Sequence, residues 1–177
     1  MAIYFTEGHF NDYKISDSVR SVLNESRRTF SASAYQTSVF ISHKHDDLDV
    51  IRGFLGFLRN MGVATYIDSF DPTMPDFTCG KTAERIKERI KQCDKFMLLA
   101  TDNAITSKWC NWELGIGDVH KYKSNIAIVP VKNYNRASYT GSEFLEIYPY
   151  LYQSSNGYFI KDPISGTIKS LNEWLKK

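Results

Sequence analysis

The sequence predicts an α/β protein built on one five-stranded parallel sheet, with helices packed on both of its faces. Two observations lead to this prediction. Short apolar runs alternate along the chain with segments in which apolar residues recur at helical spacing. Such alternation is typical of parallel strands joined by right-handed helical crossovers. In addition, the run at 96–100 is apolar throughout, as expected for a central strand that is covered on both faces.

The elements follow one another from residue 38 onwards. The first helix places Ile51, Phe54 and Leu55 on one face, and Gly62 is a natural residue to end it. Five strands connected in this way predict the flavodoxin-like order 2-1-3-4-5. The predicted elements are a strand at 38–41, a helix ending before Gly62, a strand at 64–67, a helix over 81–93, a strand at 96–100, a helix over 109–122, strands at 126–131 and 157–160, and a helix over 170–176.

Two segments lie outside this minimal unit. Residues 1–36 are predicted to form an N-terminal extension with one amphipathic helix, which begins at Ser16 or Asp17. The remainder, 37–177, is predicted to be a single domain that carries a long, Tyr-rich insertion over about 132–156.

Charge and composition exclude several classes of protein. The 22 basic and 20 acidic residues give a net charge of +2, which is too balanced for a nucleic-acid groove or a membrane-binding face. No apolar run approaches the roughly 20 residues that span a bilayer, and no leader peptide is recognisable. The three cysteines are odd in number and lack the spacing of metal ligands. The sequence therefore predicts a cytoplasmic protein with no bound metal.

The fold predicts where a ligand binds. In an open α/β sheet, ligands occupy the crevice beyond the carboxyl ends of the strands, where the strand order reverses. For the order 2-1-3-4-5 this crevice lies between the first and third strands. Its walls are the loops that follow Ile41 and Ala100, and the loop over 68–80 can fold across the top.

The helix after the third strand carries a carboxylate of interest. Its helical spacing places Trp109, Trp112, Ile116 and Val119 on a stripe that is predicted to face the core, with Glu113 among them. Near the start of a helix such an acid is expected to stay ionised, which suits the stabilisation of a positive charge on a substrate. The structural alternative is an acid that only complements the helix dipole.

Five other residues are candidates for nucleotide contacts. Ser42, His43 and Lys44 follow the first strand, where they can meet an adenosine or its phosphates. Asp68 ends the second strand and can accept hydrogen bonds from ribose hydroxyls, while Trp109 offers a flat ring for stacking. Each also has a structural interpretation, as part of a polar loop, as a turn residue or as a core tryptophan.

Three segments together resemble a TIR (Toll/interleukin-1 receptor) domain. The run Ser-Val-Phe-Ile-Ser-His at 38–43 resembles the first TIR box, and Tyr-Ile-Asp at 66–68 resembles the second strand and the acid that opens the BB loop. The run Ser-Lys-Trp-Cys-Asn-Trp-Glu-Leu at 107–114 is close to the Ser-x-Trp-Cys-x-x-Glu-Leu run of NAD-cleaving TIR domains. The resemblance is strongest over 37–131.

The resemblance implies an activity. In NAD-cleaving TIR domains the glutamate of this run is catalytic, and it corresponds to Glu113. NAD⁺ is then a substrate rather than a cofactor, and the products are nicotinamide and ADP-ribose or an ADP-ribose-derived signalling molecule. TIR enzymes commonly complete their site by association of two domains, which implies a homo-oligomer. Pro72 and Pro75 depart from the usual BB loop.

The chain also resembles stand-alone bacterial TIR proteins of anti-phage systems such as Thoeris. It shares their size, the start Tyr-Phe-Thr-Glu at 4–7 and a late Tyr-Pro at 148–149. This resemblance implies a role in antiviral defence, with a separate effector that senses the product.

Two alternatives remain open at this point. One is a non-catalytic TIR module in which the same loops dock partner proteins. The other is a receiver domain of the response-regulator kind, which shares the strand order. That chemistry needs clustered acids, a phosphate-accepting aspartate and a lysine, for which Asp46, Asp102 and Lys161 are the candidates.

Overall fold

A computed structural model describes residues 5–14, 37–68, 79–133 and 142–176. Within these ranges eight strands form one sheet. The strands are β1 (Phe5–Thr6), β2 (Ser38–Ser42), β3 (Ala64–Tyr66), β4 (Lys95–Ala100), β5 (Ile126–Lys132), β6 (Tyr150–Ser154), β7 (Gly157–Lys161) and β8 (Ile168–Ser170). The helices are α1 (Leu48–Asn60), α2 (Gly80–Gln92), α3 (Asp102–Ile105), α4 (Lys108–His120) and α5 (Leu171–Trp174).

The parallel part of the sheet has the predicted order. Strands β3, β2, β4, β5 and β6 lie side by side and run parallel, which is the order 2-1-3-4-5. β7 and β8 extend this row by antiparallel pairing, and the short β1 pairs in parallel with the end of β5. The prediction of strand order is therefore confirmed, although the sheet has more strands than predicted.

The fifth parallel strand was assigned to the wrong residues. The run at 157–160 belongs to β7, which is antiparallel, whereas the fifth parallel strand is β6, inside the stretch predicted to be an insertion. Of the five residues of β6, only Leu151 is buried, because a strand near the edge of the apolar core needs few buried side chains. β6 therefore lacks the apolar run that marks the other parallel strands. Gly157, with φ +123°, follows the tight turn that joins the two strands.

The core lies on both faces of the sheet. On one face, side chains of α1 and α5 pack against β2, β4 and β5. On the other face, α2, α3 and α4 pack against the alternate residues of the same strands. In the described part of the chain no helix is long and apolar enough to cross a membrane.

The first described residues are part of this core. Phe5 and Phe10 are buried, and their rings contact each other at a centroid distance of 5.2 Å. The backbone of Phe10 lies so close to α1 that a Cβ on Gly53 would stand 2.6 Å from the Phe10 oxygen. The amphipathic helix predicted to begin at Ser16 or Asp17 lies outside the described residues.

Helix α4 turns a different face to the sheet from the one predicted. Its buried residues are Cys110, Glu113, Leu114 and Gly117. Gly117 allows this approach, because a Cβ at that position would already stand 3.2 Å from the ring of Phe96. The helix therefore packs through its smaller side chains.

The stripe that was predicted to face inward forms the outer face of α4 instead. Trp109 is 39% exposed, Trp112 36% and Val119 77%, while Ile116 is half-buried. The prediction was wrong because α4 has two faces with apolar side chains at helical spacing, and the larger side chains were taken to be the buried ones. We call these four residues the outer face of α4.

Candidate active site

The candidate site lies at the carboxyl edge of the sheet, between β2 and β4. Ser42 is the last residue of β2 and lies opposite Leu98 of β4. Asp68 follows β3, the neighbour of β2 on its other side. Helix α4 begins shortly after β4 ends, and its buried face brings Glu113 to this edge. The structure thus assembles candidates at the predicted reversal of strand order.

Glu113 and Ser42 form the centre of the site. The Ser42 hydroxyl donates a hydrogen bond to Oε2 of Glu113 across 2.5 Å. Glu113 is only 2% exposed, and Ser42 is completely buried. Among the described residues no other hydrogen bond reaches the Glu113 carboxyl.

The surroundings of Glu113 favour its neutral form. Burial raises the pKa of Glu113 well above the ordinary value, and the negative charge of Asp68 acts in the same direction. The hydrogen bond from Ser42 opposes both effects. These surroundings therefore weigh against the expectation that Glu113 stays ionised in the free protein. Glu113 is the sixth residue of α4, beyond the free N–H groups of the first turn, and it lies on the buried face.

This environment predicts a pH-dependent difference in stability. A carboxyl whose pKa is raised by folding stabilises the fold at low pH and loses that contribution as the pH rises through the folded-state pKa. Glu113→Gln cannot ionise. As the pH rises above the unfolded-state pKa, we therefore expect the wild type to lose free energy of unfolding relative to Glu113→Gln. The difference should change by up to about 1.4 kcal/mol per pH unit.

Urea unfolding at several values between pH 5 and pH 9 measures this difference. The exposed Glu84 of α2 provides the control, because Glu84→Gln should keep a constant offset from the wild type. A constant offset for Glu113→Gln as well would show that the carboxyl titrates normally.

His43 is buried beside this pair. Its Nδ1 lies 3.2 Å from the carbonyl oxygen of Ile41 and 3.9 Å from Oδ1 of Asp68. A carbonyl oxygen only accepts, so Nδ1 carries the hydrogen. Burial lowers the pKa of His43, and the charge of Asp68 partly offsets this effect. These effects favour a neutral ring that is hydrogen-bonded to the end of β2 and lies near Asp68.

Asp68 is the charged group of the site. Its side chain is 27% exposed, so it is accessible from solvent while its charge acts on both buried neighbours, Glu113 and His43. The structure thus brings together four of the six predicted site residues, namely Ser42, His43, Asp68 and Glu113.

The other two predicted site residues lie on the surface. The Lys44 ammonium is 4.0 Å from Oδ2 of Asp46, and its side chain is 40% exposed. The Trp109 ring packs edge-to-face on Trp112, with the centroids 5.3 Å apart. Neither contacts Glu113 through a hydrogen bond or an ion pair among the described residues, so their contribution to the site depends on a bound ligand.

Cys110 is a further neighbour of this pair, and the sequence gives no partner that would activate it as a nucleophile. Its thiol is buried near Ser42 and near Ser107, the N-cap residue of α4, whose hydroxyl accepts a hydrogen bond from the Cys110 N–H across 3.4 Å. Burial above all raises the pKa of Cys110 to about 11. The thiol therefore stays protonated at neutral pH, which argues against a role as a nucleophile.

Asp47 joins the two loops that flank the crevice. Its carboxylate accepts hydrogen bonds from the Thr101 hydroxyl across 2.5 Å and from the Asn103 amide across 2.8 Å. Thr101 directly follows β4, so this contact fixes the loop after β2 against the loop after β4. Nothing in the local sequence predicts the pairing, because the partners are 54 and 56 residues apart.

Comparison with known proteins decides the family. The family model for the TIR domain matches residues 39–150, which include both strands of the crevice and helix α4. The chain belongs to the TIR family. Lys161 lies opposite Tyr150 at the amino edge of the sheet, far from the loops with Asp46 and Asp102, so the TIR domain does not have a receiver site.

Two individual proteins are similar to this TIR domain. One is a Bacillus cereus (strain MSX-D12) protein named as a probable 3′ cyclic ADP-D-ribose synthase, ThsB′. It is 31% identical over 160 residues, which is 83% of this chain and 82% of the relative. The other is the TIR domain of the Toll-related receptor TRR-2 from Hydra magnipapillata, which is 19% identical, with a TM-score of 0.44 over 60% of this chain and 76% of that one.

In the described ranges, no group of three or more His, Cys, Asp or Glu side chains is placed to hold a metal ion.

Proposed function

We propose that this TIR domain cleaves the nicotinamide–ribose bond of NAD⁺. The observation that carries the proposal is the buried carboxyl of Glu113, held by Ser42 at the reversal of strand order. The similarity to a protein named as a cyclic ADP-D-ribose synthase supports the choice of substrate. The products are nicotinamide and ADP-ribose or a signalling molecule derived from ADP-ribose.

The chemistry requires a negative charge near the ribose. When the bond between C1′ and the nicotinamide nitrogen breaks, its electron pair leaves with nicotinamide, and the ribose becomes an oxocarbenium-like cation. A Glu113 carboxylate stabilises that cation in a site from which water is largely excluded. Water adding to C1′ then releases a proton and gives ADP-ribose, whereas a nucleophile within the same molecule gives a cyclic product.

Binding of NAD⁺ explains how a neutral acid becomes that carboxylate. The nicotinamide ring of NAD⁺ is cationic, and a positive charge beside Glu113 lowers the pKa of the carboxyl. Asp68, which disfavours ionised Glu113 in the free protein, is available to the ribose hydroxyls. Substrate binding and ionisation of Glu113 are therefore coupled.

The other predicted contacts take different roles in this proposal. Lys44 is partly exposed and Trp109 is exposed, so they can meet the phosphates and a ring of NAD⁺. His43 is 7% exposed and its Nδ1 is bonded to the Ile41 carbonyl, so it supports the end of β2 from below the surface.

We propose further that activity increases when two copies of the TIR domain associate. The outer face of α4 exposes Trp109, Trp112 and Val119, with the half-buried Ile116 packed between them and the core, and exposed apolar surface of this kind marks protein contacts. This face lies on the helix that carries Glu113. Contact between two copies would therefore hold α4, and with it Glu113, in one position.

Val119→Glu tests the association. Val119 is the most exposed residue of the outer face, so the change leaves the core intact but places a charge in the contact. We expect the protein concentration for half-maximal specific activity to rise by about tenfold or more. Gln92→Glu adds the same charge to an exposed position on α2 and should leave this concentration unchanged. Specific activity that does not vary with concentration in the wild type would argue against association.

The role in antiviral defence, with a separate effector that detects the product, belongs to the same proposal. Its support is the similarity to ThsB′ together with the absence of a membrane-spanning helix among the described residues, both compatible with a diffusible product of a cytoplasmic enzyme. The alternative, a TIR module that only docks proteins, is favoured by the same outer face of α4.

Incubation of concentrated protein with NAD⁺ separates the two functions. Mass spectrometry detects nicotinamide if the protein is an enzyme, and the mass of the second product distinguishes hydrolysis from cyclisation or conjugation. A docking module releases no nicotinamide at any concentration or pH.

A further inference from the structure

We infer that Ser42 is a positioning residue for Glu113: its hydroxyl holds one carboxyl oxygen, leaves the other oxygen to the ribose and does not touch the nucleotide. This inference rests on the proposed cleavage of NAD⁺. It differs from the expectation drawn from the sequence, in which Ser42 contacts the adenosine or the phosphates directly.

Ser42 is held in the sheet and is closed to solvent. It is the last residue of β2, and its backbone is fixed by the pairing with Leu98 of β4. Its side chain has no exposed surface, so no ligand reaches it without rearrangement of the strands. Its 2.5 Å hydrogen bond joins the rigid sheet to α4 across 71 residues of chain. Ser42 therefore acts through Glu113.

The Ser42 hydroxyl has a limited capacity for hydrogen bonds. A serine hydroxyl has a single hydrogen to donate, and in this structure the hydrogen goes to Oε2 of Glu113. Burial keeps the neighbouring Cys110 thiol protonated, and a neutral thiol is a weak acceptor, so it does not compete for this hydrogen. The hydroxyl hydrogen is therefore committed to Glu113.

The groups around Glu113 determine how readily its carboxyl ionises. The titratable groups that interact with it are Asp68 after β3 and Cys110 on α4 itself, while His43, next to Ser42 in the chain, interacts with Asp68. Burial and Asp68 disfavour the carboxylate, and the Ser42 hydroxyl is the group that favours it. Without this hydroxyl the carboxyl should ionise only at higher pH.

The test compares Ser42→Ala with Ser42→Thr, which retains the hydroxyl. Ser38→Ala is the matched control, because Ser38 lies on the same strand and its hydroxyl donates to a carboxylate, that of Asp94, across 2.9 Å at the far end of β2. Thermal unfolding identifies any variant that fails to fold.

For Ser42→Ala, we expect the acid limb of the kcat/KM profile to move by about one pH unit towards higher pH, with about a tenfold loss near neutrality that is recovered in alkali. Ser42→Thr and Ser38→Ala should retain the wild-type limb. A rise in KM at constant kcat and unchanged pH profile would mean that Ser42 binds the nucleotide and would overturn the inference. A pH-independent loss in folded Ser42→Ala would also overturn it.

A second measurement does not depend on activity. In protein with carboxyl-¹³C-labelled glutamate, the Glu113 resonance is identified by its loss in Glu113→Gln, and its titration is followed by NMR. We expect the midpoint in Ser42→Ala to lie above that of the wild type, and an unchanged midpoint would contradict the positioning role. If the midpoint shifts but the wild type does not cleave NAD⁺, then the positioning stands and the proposed function fails.

Discussion

Replacing Glu113 with glutamine is expected to lower nicotinamide release from NAD⁺ by at least about 100-fold. Glutamine has nearly the shape of glutamate, so its carbonyl oxygen can still accept the hydrogen bond from Ser42 and the packing of α4 is retained. What the variant loses is the ability to carry a negative charge. The loss should therefore appear in kcat rather than in the affinity for NAD⁺.

The comparison that isolates this charge uses two glutamates. Glu84→Gln removes a carboxylate from the exposed face of α2 and should leave nicotinamide release at the wild-type rate. Initial rates over a range of NAD⁺ concentrations give kcat and KM for all three proteins, and circular dichroism confirms that they are folded. Glu113→Gln with a wild-type kcat would remove Glu113 from the chemistry.

The pH profile is expected to show the second large effect. Because burial and Asp68 raise the pKa of Glu113 well above the ordinary value, the free protein holds less carboxylate at a given pH than an ordinary glutamate would. The kcat/KM for NAD⁺ should therefore increase with pH by up to about tenfold per unit until the raised pKa is reached. An unperturbed glutamate would give a plateau above about pH 5.

Initial rates at low NAD⁺ concentration between pH 5.5 and pH 9 measure this profile. Burial lowers the pKa of His43, so any limb from this ring should lie towards the acid end of the range, and it cannot produce a rise above neutrality. A profile that is flat, or that falls as the pH rises, would contradict the proposed state of Glu113.

The parallel strands were predictable where burial on both faces leaves a continuous apolar run. β4 is the example, since every residue of the strand after Lys95 is buried. β6 was not predictable in this way because a single buried residue, Leu151, holds it in the core. The flavodoxin-like order nevertheless followed from the alternation of strands and helices, since the crossovers are constrained in handedness.

The position of the site was more predictable than its electrostatics. The reversal of strand order and the Trp-Cys-x-x-Glu-Leu run both led to Glu113, and the structure brings it to the end of β2. Periodicity alone did not tell which apolar face of α4 is buried, because that depends on the fit of Gly117 against Phe96. Because Glu113 lies on the buried face, its carboxyl is less exposed to solvent than the sequence predicts.

Contacts between distant residues could not be predicted from one sequence. Ser42 and Glu113 are 71 residues apart, and Asp47 and Thr101 are 54 apart. Topology predicts that the loops carrying these residues are neighbours, but hydrogen bonds depend on distances of a few tenths of an ångström. The sequence therefore predicts Ser42 as a nucleotide contact, and its hydrogen bond to Glu113 is seen only in the structure.

The most direct test of the central claim is nicotinamide release by concentrated wild-type protein and by Glu113→Gln, incubated with NAD⁺ side by side near pH 8 and analysed by mass spectrometry. The account predicts nicotinamide and an ADP-ribose product from the wild type, and at least about 100-fold less from the variant. Equal release by both proteins, or none from the wild type at any concentration, would contradict it.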